Sequence, residues 1–365
     1  MTTRIRKLQA TLRENAFDAV LVSSYANVVY LTEFAGKTLQ ERGDAFLLIT
    51  QDEQFFLTYP LYADAVKKHL GEYQFLPISR ARPLPLTLTE IVEKKKLQKI
   101  AYEAFDLRVA ELQNITNMLS KKLFVPADVV SPLRLIKTSQ EIVAIQEACQ
   151  VEDQVFSQIL PKITEKTTEK MLAAEIDFAI KKLDAEIAFS TIVAFGGNAA
   201  FPHHVPSKQK VKNGDCILMD VGTKVANYCS DMTRTVFFGK ASLHDKNVYQ
   251  TVLDALQKST EFIQKKLLLN ESIKANEVDQ VGRDYIVEKG YPPFQHMSHG
   301  IGIDVHEAPV FSAQLETLLE ENMVFTIEPG IYLVDDIGVR IEDVFTIQKN
   351  KLVQLTTSSK DLIEI

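Results

Sequence analysis

The sequence predicts a two-domain α/β (α+β) protein, with a smaller domain over residues 1–131 and a larger one over 132–365. The chain has 365 residues, which exceeds the usual length of one domain. Short strand and helix patterns alternate up to about residue 128, and beyond that point the order helix, helix, strands occurs twice. Pro132 interrupts the pattern, so we place the domain boundary there.

The first domain begins with a predicted helix over 3–15 and a buried strand over 19–22. Two further strands, 46–50 and 54–58, are joined by a tight polar turn, and a helical pattern covers 60–70. This alternation favours a mixed sheet with helices packed against it.

The second domain opens with a long helix, for which Thr138 or Ser139 is the N-cap and Glu141 follows in the first turn. The remaining predicted elements are a helix over 168–185, strands over 190–195, 215–221 and 233–238, helices over 244–268 and 275–289, and strands over 323–328, 339–347 and 352–356.

A short internal repeat accompanies this order of elements. Segments 218–222 and 326–330 each place a carboxylate at a strand end, two residues before a glycine. Together with the repeated order, this predicts two pseudo-symmetric halves that enclose one site.

Composition excludes several classes of function. The net charge of −7 and the pI near 5.6 give no electrostatic reason to expect nucleic acid as a partner. The sequence contains no run of 18 apolar residues, so we expect no membrane span. The N-terminal stretch has no apolar core typical of a signal peptide. Three cysteines do not form a disulfide framework, and they suit a reducing compartment, so we expect a cytoplasmic protein.

Four carboxylates and one imidazole stand in distinctive sequence frames in the second half of the chain. Such donors are what two divalent cations need, and a paired cation site activates a water for hydrolysis. Without cations, each pair of carboxylates about 4 Å apart costs about 4 kcal/mol. The donor set favours Mn²⁺, with Co²⁺, Fe²⁺ or Zn²⁺ as alternatives. The five candidate ligands are Asp220, Asp231, His299, Glu328 and Glu342.

Other interpretations of these residues are weaker. Asp220 to Asp231 has the length of an EF-hand loop, but Gly222 and Lys224 replace expected oxygen ligands. The chain lacks the Gly-x-Ser-x-Gly elbow of a serine hydrolase. The motif at His306 does not continue into a His-Glu-x-x-His zinc helix.

The five ligand frames resemble those of the pita-bread metallopeptidases, the family of methionine aminopeptidase, Xaa-Pro aminopeptidase and prolidase. The frames include Asp220-Val221-Gly222, His299-Gly300-Ile301-Gly302 and Glu328-Pro329-Gly330. Residues 30–34 are similar to part of the creatinase/prolidase-type N-terminal domain, and residues 133–141 resemble the entry to the catalytic domain. The resemblance implies a pita-bread fold over 132–365.

The resemblance also implies roles for the ligands. Asp220 would chelate one metal ion, Asp231 and Glu342 would bridge both ions, and His299 and Glu328 would complete the second site. Glu328 would also carry the proton from the attacking water to the leaving nitrogen.

Four further residues match positions around the family's substrate. His203 resembles the substrate-side histidine, and His306 resembles the histidine that stabilises the tetrahedral intermediate. Arg340 resembles an arginine of the proline-specific members, placed to support the site or to meet a substrate carboxylate, and Tyr332 would contact the substrate. One departure is Gln295, which stands where proline-specific members usually carry a histidine.

The separation between Glu328 and Glu342 is 14 positions (342 − 328), and this compact block resembles the proline-specific members. Longer prolidases carry an arginine between the metal-binding histidine and the first metal-binding glutamate, but residues 300–327 contain none here. We therefore predict an Xaa-Pro aminopeptidase, with an Xaa-Pro dipeptidase as the alternative. A non-catalytic peptide-binding module on the same fold is a further alternative, and the family implies a homodimer.

Overall fold

The computed structural model describes residues 3–34, 44–120, 123–294, 298–312 and 314–365. The chain forms two compact units, which we call the N-terminal unit (Met1–Leu135) and the C-terminal unit (Ile136–Ile365). Among the described helices, none combines the length and the apolar character needed to cross a membrane.

The N-terminal unit is built on one six-stranded mixed sheet. Its strand order is β4-β3-β2-β1-β5-β6, in which β1 pairs antiparallel with β2 and parallel with β5. The elements are α1 (Thr3–Glu14), β1 (Ala19–Val22), α2 (Tyr25–Thr32), β2 (Ala45–Thr50), β3 (Gln54–Thr58), α3 (Ala63–His69), β4 (Gln74–Pro77), α4 (Leu84–Lys95), β5 (Ile100–Tyr102), α5 (Val109–Thr116), β6 (Phe124–Pro126) and α6 (Ser131–Arg134).

Strands β1 and β2 are buried along their whole length, as expected for central strands covered by helices on both faces. Their side chains join a core with residues of α4, including Leu88 and Ile91. The predicted α/β architecture of this unit is confirmed.

The C-terminal unit repeats the order of two helices followed by antiparallel strands. Its elements are α7 (Ser139–Ile159), α8 (Glu169–Lys182), β7 (Glu186–Ile187), β8 (Ile192–Phe195), β9 (Cys216–Val221), β10 (Thr223–Val225), β11 (Tyr228–Cys229), β12 (Met232–Phe237), α9 (Leu243–Leu268), α10 (Ala275–Glu288), β13 (His299–Gly300), β14 (Glu307–Val310), β15 (Val324–Ile327), β16 (Gly330–Leu333), β17 (Ile337–Arg340), β18 (Asp343–Gln348) and β19 (Lys351–Gln354).

The strands described in this unit form four small sheets. The first half contributes β12-β9-β8 and β11-β10-β7, and the second half contributes β14-β13-β15-β18-β19 and β16-β17. Helices α7 and α8 cover β8 and β9 with an apolar core that includes Ile176, Ile180 and Ile217. The predicted α/β class with a repeated helix and strand order is therefore confirmed.

Helix α7 begins where the sequence predicts. The Thr138 hydroxyl accepts the Glu141 N–H at 3.3 Å, and the Glu141 carboxylate accepts the Thr138 N–H at 2.7 Å. This reciprocal capping satisfies two backbone donors that the helix leaves unpaired.

The prediction of one strand over 339–347 is wrong, because this segment forms two strands that belong to different sheets. β17 pairs with β16, whereas β18 pairs with β15. The break between them is at Ile341 and Glu342, where the chain passes from one ladder to the other. Hydrophobic alternation is interrupted at this break, where Glu342 and Asp343 are two polar residues in succession.

Candidate metal centre

The structure brings the five predicted ligands together in the C-terminal unit. One oxygen each of Asp220, Asp231 and Glu342 lies within 4.8 Å of the others, and the same holds for one ligand atom each of His299, Glu328 and Glu342. The Nε2 atom of His299 lies 3.4 Å from a Glu328 oxygen and 3.6 Å from an Asp231 oxygen. All five side chains therefore share one site.

Strand pairing explains why Asp220 and Asp231 converge. In the β9–β12 ladder, Asp220 is opposite Thr233 and Val221 is opposite Met232. Asp231 is the next residue before that pair, so the two aspartates are diagonal neighbours on one face. The short β10–β11 hairpin occupies the residues between them.

Glu328 and Glu342 meet in the second half in a related way. Ile327 of β15 pairs with Asp343 of β18, and Gly330 of β16 pairs with Arg340 of β17. The two glutamates lie between these ladders, one on each side of the break. These two side chains are therefore placed where the chain passes from one ladder to the other, between β15 and β16 and between β17 and β18.

A hydrogen-bond network holds the carboxylates in position. The Arg340 guanidinium donates to Asp220 Oδ2 at 2.7 Å, to Thr233 Oγ1 at 2.7 Å and to the Tyr332 hydroxyl at 2.9 Å. Thr233 Oγ1 in turn donates to Glu342 Oε2 at 2.8 Å. Arg340 and Thr233 thus link a predicted ligand from each half of the unit.

Sequence reasoning assigned no role to Thr233, although it lies in the Asp231 frame. The signal that could have identified it is alternation along β12, because Asp231 and Thr233 are two residues apart and share a face. A threonine hydroxyl that donates to Glu342 at that position orients the carboxylate of a predicted metal ligand.

The carboxylates repel one another, and burial strengthens the effect. Burial and the charge of Asp220 raise the pKa of Glu342 to about 8. Burial, with Glu342 next in importance, raises the pKa values of Asp231 and Glu328 well above their usual range. Protons or cations must therefore compensate this cluster at neutral pH.

The histidines of the site favour their neutral forms. Burial lowers the pKa of His299 to about 4, and the nearby His306 acts in the same direction. Burial also lowers the pKa of His306, with His203 adding to the effect and Asp220 opposing it. A neutral imidazole offers the lone pair that a metal ligand requires.

These residues fit a pair of divalent cations. The donors are oxygens and one imidazole nitrogen, which suits hard or borderline metals. Asp220 Oδ1 is buried and has no hydrogen-bond partner in the described part of the chain. Such an atom is costly unless a cation or a donor reaches it, and it belongs to a predicted metal ligand.

The predicted substrate residues lie around the cluster. His306 is exposed at its rim, with its ring edge-to-face against His299 at a centroid distance of 4.3 Å. His203 is also exposed and lies close enough to His306 to affect its pKa. Its neighbour His204 instead contacts buried Glu169, with 2.9 Å between Nε2 and Oε2.

Arg340 and Tyr332 lie deeper than the histidines. Arg340 is only 3% exposed, and its hydrogen bonds run to Asp220, Thr233 and Tyr332. This arrangement favours support of the metal ligands, one of the two roles predicted for Arg340, and contact of either residue with substrate stays a prediction. Gln295 lies outside the described residues.

Comparison with known proteins identifies the family. Residues 143–349 match the metallopeptidase family M24, and residues 4–136 match the creatinase/prolidase N-terminal domain. The chain is 32% identical to an Xaa-Pro dipeptidase of Pyrococcus furiosus over 367 residues, covering 100% of both proteins.

Solved structures agree with this assignment. A dipeptidase of Pyrococcus horikoshii superposes with a TM-score of 0.89 at 34% identity and 100% coverage of both chains. An X-Pro aminopeptidase of Thermotoga maritima gives a TM-score of 0.85 at 30% identity, covering 98% of this chain and 100% of the other. The chain therefore belongs to metallopeptidase family M24, in the pita-bread group that carries a creatinase/prolidase N-terminal domain.

Proposed function

We propose that this protein is a metal-dependent Xaa-Pro dipeptidase, which hydrolyses the bond between an N-terminal residue and a C-terminal proline. The observation that carries the proposal is end-to-end similarity to an Xaa-Pro dipeptidase, at 32% identity over 367 residues. The sequence alone favoured an aminopeptidase, with the dipeptidase as the alternative. The named relatives support that alternative better.

The proposed metal ligands are Asp220, Asp231, His299, Glu328 and Glu342. Bound divalent cations would polarise the scissile carbonyl and lower the pKa of a water nucleophile. Family membership implies divalent metal ions, and the donor set favours Mn²⁺ among them. The alternatives Co²⁺, Fe²⁺ and Zn²⁺ are distinguished by activity after reconstitution of metal-free protein with each ion.

The residues of the site have separate tasks in this proposal. Glu328 accepts the proton of the attacking water and delivers it to the proline nitrogen as the peptide bond breaks. His306, exposed at the rim, donates a hydrogen bond to the oxygen that becomes negatively charged in the transition state. His203 binds the substrate beside it. Arg340 and Thr233 orient Asp220 and Glu342.

A second candidate function, Xaa-Pro aminopeptidase, is favoured by one observation. A dipeptidase must recognise the free carboxylate of its proline, and a bidentate arginine is well suited to this. Residues 300–327 contain no arginine, and Arg340 already donates to Asp220, Thr233 and Tyr332. Longer peptides have no carboxylate at that position and would not require one.

Turnover of Xaa-Pro and Xaa-Pro-Yaa by the same Mn²⁺-loaded preparation separates these functions. A kcat/KM at least tenfold higher for Xaa-Pro supports the dipeptidase, and the reverse ratio supports the aminopeptidase. Absence of bound transition metal, together with no turnover of either peptide after Mn²⁺ or Co²⁺ addition, would instead support a non-catalytic peptide-binding module.

Other features of the proposal concern the whole molecule. The family resemblance suggests a homodimer, which light scattering coupled to size-exclusion chromatography measures directly. Three buried thiols (Cys149, Cys216, Cys229) suit a reducing, cytoplasmic compartment. We keep the domain boundary at 131/132 as a proposal, to be tested by limited proteolysis.

A further inference from the structure

Asp279 is a buried acid on α10 whose carboxylate binds the residue next to a predicted metal ligand. Its Oδ2 accepts the Ser298 N–H at 3.1 Å, and its Oδ1 accepts the Ser298 hydroxyl at 2.5 Å. Asp279 is 4% exposed and Ser298 is 2% exposed, so both contacts are shielded from solvent. Asp279 therefore fixes the backbone and the side chain of the residue that precedes His299.

The helix that carries Asp279 is itself firmly placed. Ser259 of α9 donates its hydroxyl to the Val278 carbonyl of α10 at 2.8 Å, and both residues are buried. A Cβ at Gly282 would lie 3.0 Å from Ser259 Oγ, which shows how closely the two helices approach. Because Asp279 directly follows Val278, the contact between α9 and α10 sets its position.

Arg283 stands one turn beyond Asp279 and extends the arrangement. Its Nη2 lies 3.5 Å from Asp279 Oδ2, and its Nη1 donates to the Phe294 carbonyl at 3.0 Å. Burial raises the pKa of Asp279 to about 6, while the hydrogen bonds of Ser298 and the charge of Arg283 oppose the rise. At pH 8 the carboxylate is therefore mostly ionised, and both of its oxygens are acceptors.

The backbone of His299 is held from a second direction by β15. The His299 N–H donates to Thr326 Oγ1 at 3.2 Å, and Gly300 pairs with Phe325. β15 ends at Ile327, directly before Glu328. The segment at His299 is thus fixed between α10 and the strand that leads to another predicted ligand.

This placement determines where the His299 lone pair points. Nδ1 lies 3.2 Å from the Gly300 carbonyl oxygen, which can only accept, so Nδ1 carries the proton of the neutral ring. Nε2 then holds the lone pair, and it lies 3.4 Å from a Glu328 oxygen and 3.6 Å from an Asp231 oxygen. A shift of the backbone at residues 298 and 299 would move this lone pair away from the carboxylates.

We propose that Asp279 is a positioning residue of the metal centre, whose carboxylate holds the backbone of Ser298 and so places the His299 imidazole for binding a divalent cation. Asp279 is not itself one of the predicted ligands and acts through His299. The proposal rests on the metal-dependent function described above.

The test is a double-mutant cycle between Asp279→Ala and His299→Ala, with Mn²⁺ affinity as the measured quantity. Metal-free protein is titrated with Mn²⁺ against a competing chelator at pH 8, and bound metal is counted by elemental analysis. Asp279→Asn is the conservative variant, because its amide oxygen can still accept the Ser298 N–H.

Two control variants separate positioning from a general loss of stability. Ser259→Ala removes the buried hydrogen bond to the Val278 carbonyl and leaves the contacts of Asp279 with Ser298 in place. Asp284→Ala removes an exposed carboxylate of the same helix. The melting temperature of each metal-free variant records the cost to the fold.

We expect Asp279→Ala to bind Mn²⁺ about 10–100-fold more weakly, the usual effect of changing a residue behind a metal ligand. In the His299→Ala background the same substitution should change the affinity by less than about twofold, because the side chain that it positions is absent. Asp279→Asn should bind Mn²⁺ more tightly than Asp279→Ala. Both control variants should keep the wild-type affinity, including any variant that melts at a lower temperature.

An affinity within about twofold of wild type in folded Asp279→Ala would overturn the proposal, and so would equal losses in the two backgrounds. If Asp279→Ala does not fold, Asp279→Leu takes its place in the cycle, because leucine fills a similar volume without an acceptor. Failure of both variants to fold would also overturn the proposal, since the role would then lie in the fold.

Failure of the proposed function looks different. Wild type itself would bind no divalent metal, or would bind it and cleave neither peptide. In the second case the cycle still measures the role of Asp279, because it depends on metal binding alone.

Discussion

Removing the metal and raising the pH should together destabilise this protein. Burial and Asp220 raise the pKa of Glu342 from 4.5 to about 8 in the folded, metal-free protein. A carboxyl group with a raised folded pKa favours folding only while it is protonated. Its contribution is complete below about pH 4.5 and is lost as the pH rises through about 8.

The window from pH 7 to pH 8 reports on the buried carboxyl groups of Glu342, Asp231, Glu328 and Glu152, whose pKa values are all raised. Burial lowers the pKa of His299 to about 4, so its contribution is already complete above its ordinary value of 6.5 and does not change there. Buried Asp279 and Glu103 have pKa values raised to about 6 and about 7. Most of the stability that these two groups contribute is therefore lost below pH 7.

The expected slope of the free energy of unfolding against pH follows from one proton that is bound more tightly in the folded state. Each such proton costs about 1.4 kcal/mol of stability per pH unit, which corresponds to a fall of about 3–6 °C in melting temperature for a unit of this size. Because Asp231 and Glu328 are raised in the same direction, the slope should be at least this large.

The assay is calorimetric melting at several pH values between 7 and 8.5, after chelation and again with saturating Mn²⁺. The stabilisation by Mn²⁺ should increase across the window as that of the metal-free protein declines. Glu342→Gln should show a shallower slope, and Glu147→Gln, which changes an exposed carboxylate of α7, should retain the wild-type slope. A metal-free melting temperature that stays constant or rises from pH 7 to pH 8 would refute the reasoning.

Three substitutions give further expected outcomes. Glu328→Gln should lower kcat by about 10²–10⁴-fold while at least one metal ion remains bound, measured by elemental analysis, because it removes the proton carrier; undiminished turnover would reject that role. Gly338→Ala would place a Cβ 1.7 Å from the Ala199 carbonyl oxygen, so we expect a melting temperature several degrees lower. Lys137→Met breaks a buried ion pair with Glu307 (3.1 Å) and should cost about 3–5 kcal/mol in urea unfolding; a loss below 1 kcal/mol would contradict this.

The sequence predicts elements well where local chemistry determines them. Thr138 and Glu141 define the start of α7 because capping is a contact between residues three positions apart. The helix over 244–268 was predicted within one residue of its observed bounds, Leu243–Leu268, since its apolar positions recur at helical spacing.

Prediction is less successful where the chain changes strand partners within one short segment. Residues 339–342 alternate, two polar residues (Glu342 and Asp343) then follow in succession, and β17 and β18 belong to different sheets. Which neighbour a strand selects depends on residues of other segments, and hydrophobic alternation carries no information about them. The β10–β11 hairpin is missed for a different reason, because its strands are only three and two residues long.

The same distinction between local patterns and strand pairing applies to the residues of the candidate site. Its five carboxylate and imidazole side chains are predicted from sequence frames, whereas Thr233 is not. Thr233 is important only because strand pairing places its hydroxyl between Arg340 and Glu342.

In the proposed metal centre, metal affinity and stability depend on the same groups. Carboxylates close enough to bind two cations are also close enough to raise one another's pKa, so protons and metal ions would compete for Asp231, Glu328 and Glu342. Arg340 relieves only part of the repulsion, since its single positive charge is directed at Asp220. A substitution that weakens the repulsion should therefore stabilise the metal-free protein and weaken metal binding at the same time. That opposite pair of effects separates the carboxylates of the proposed metal centre from residues that serve only the core.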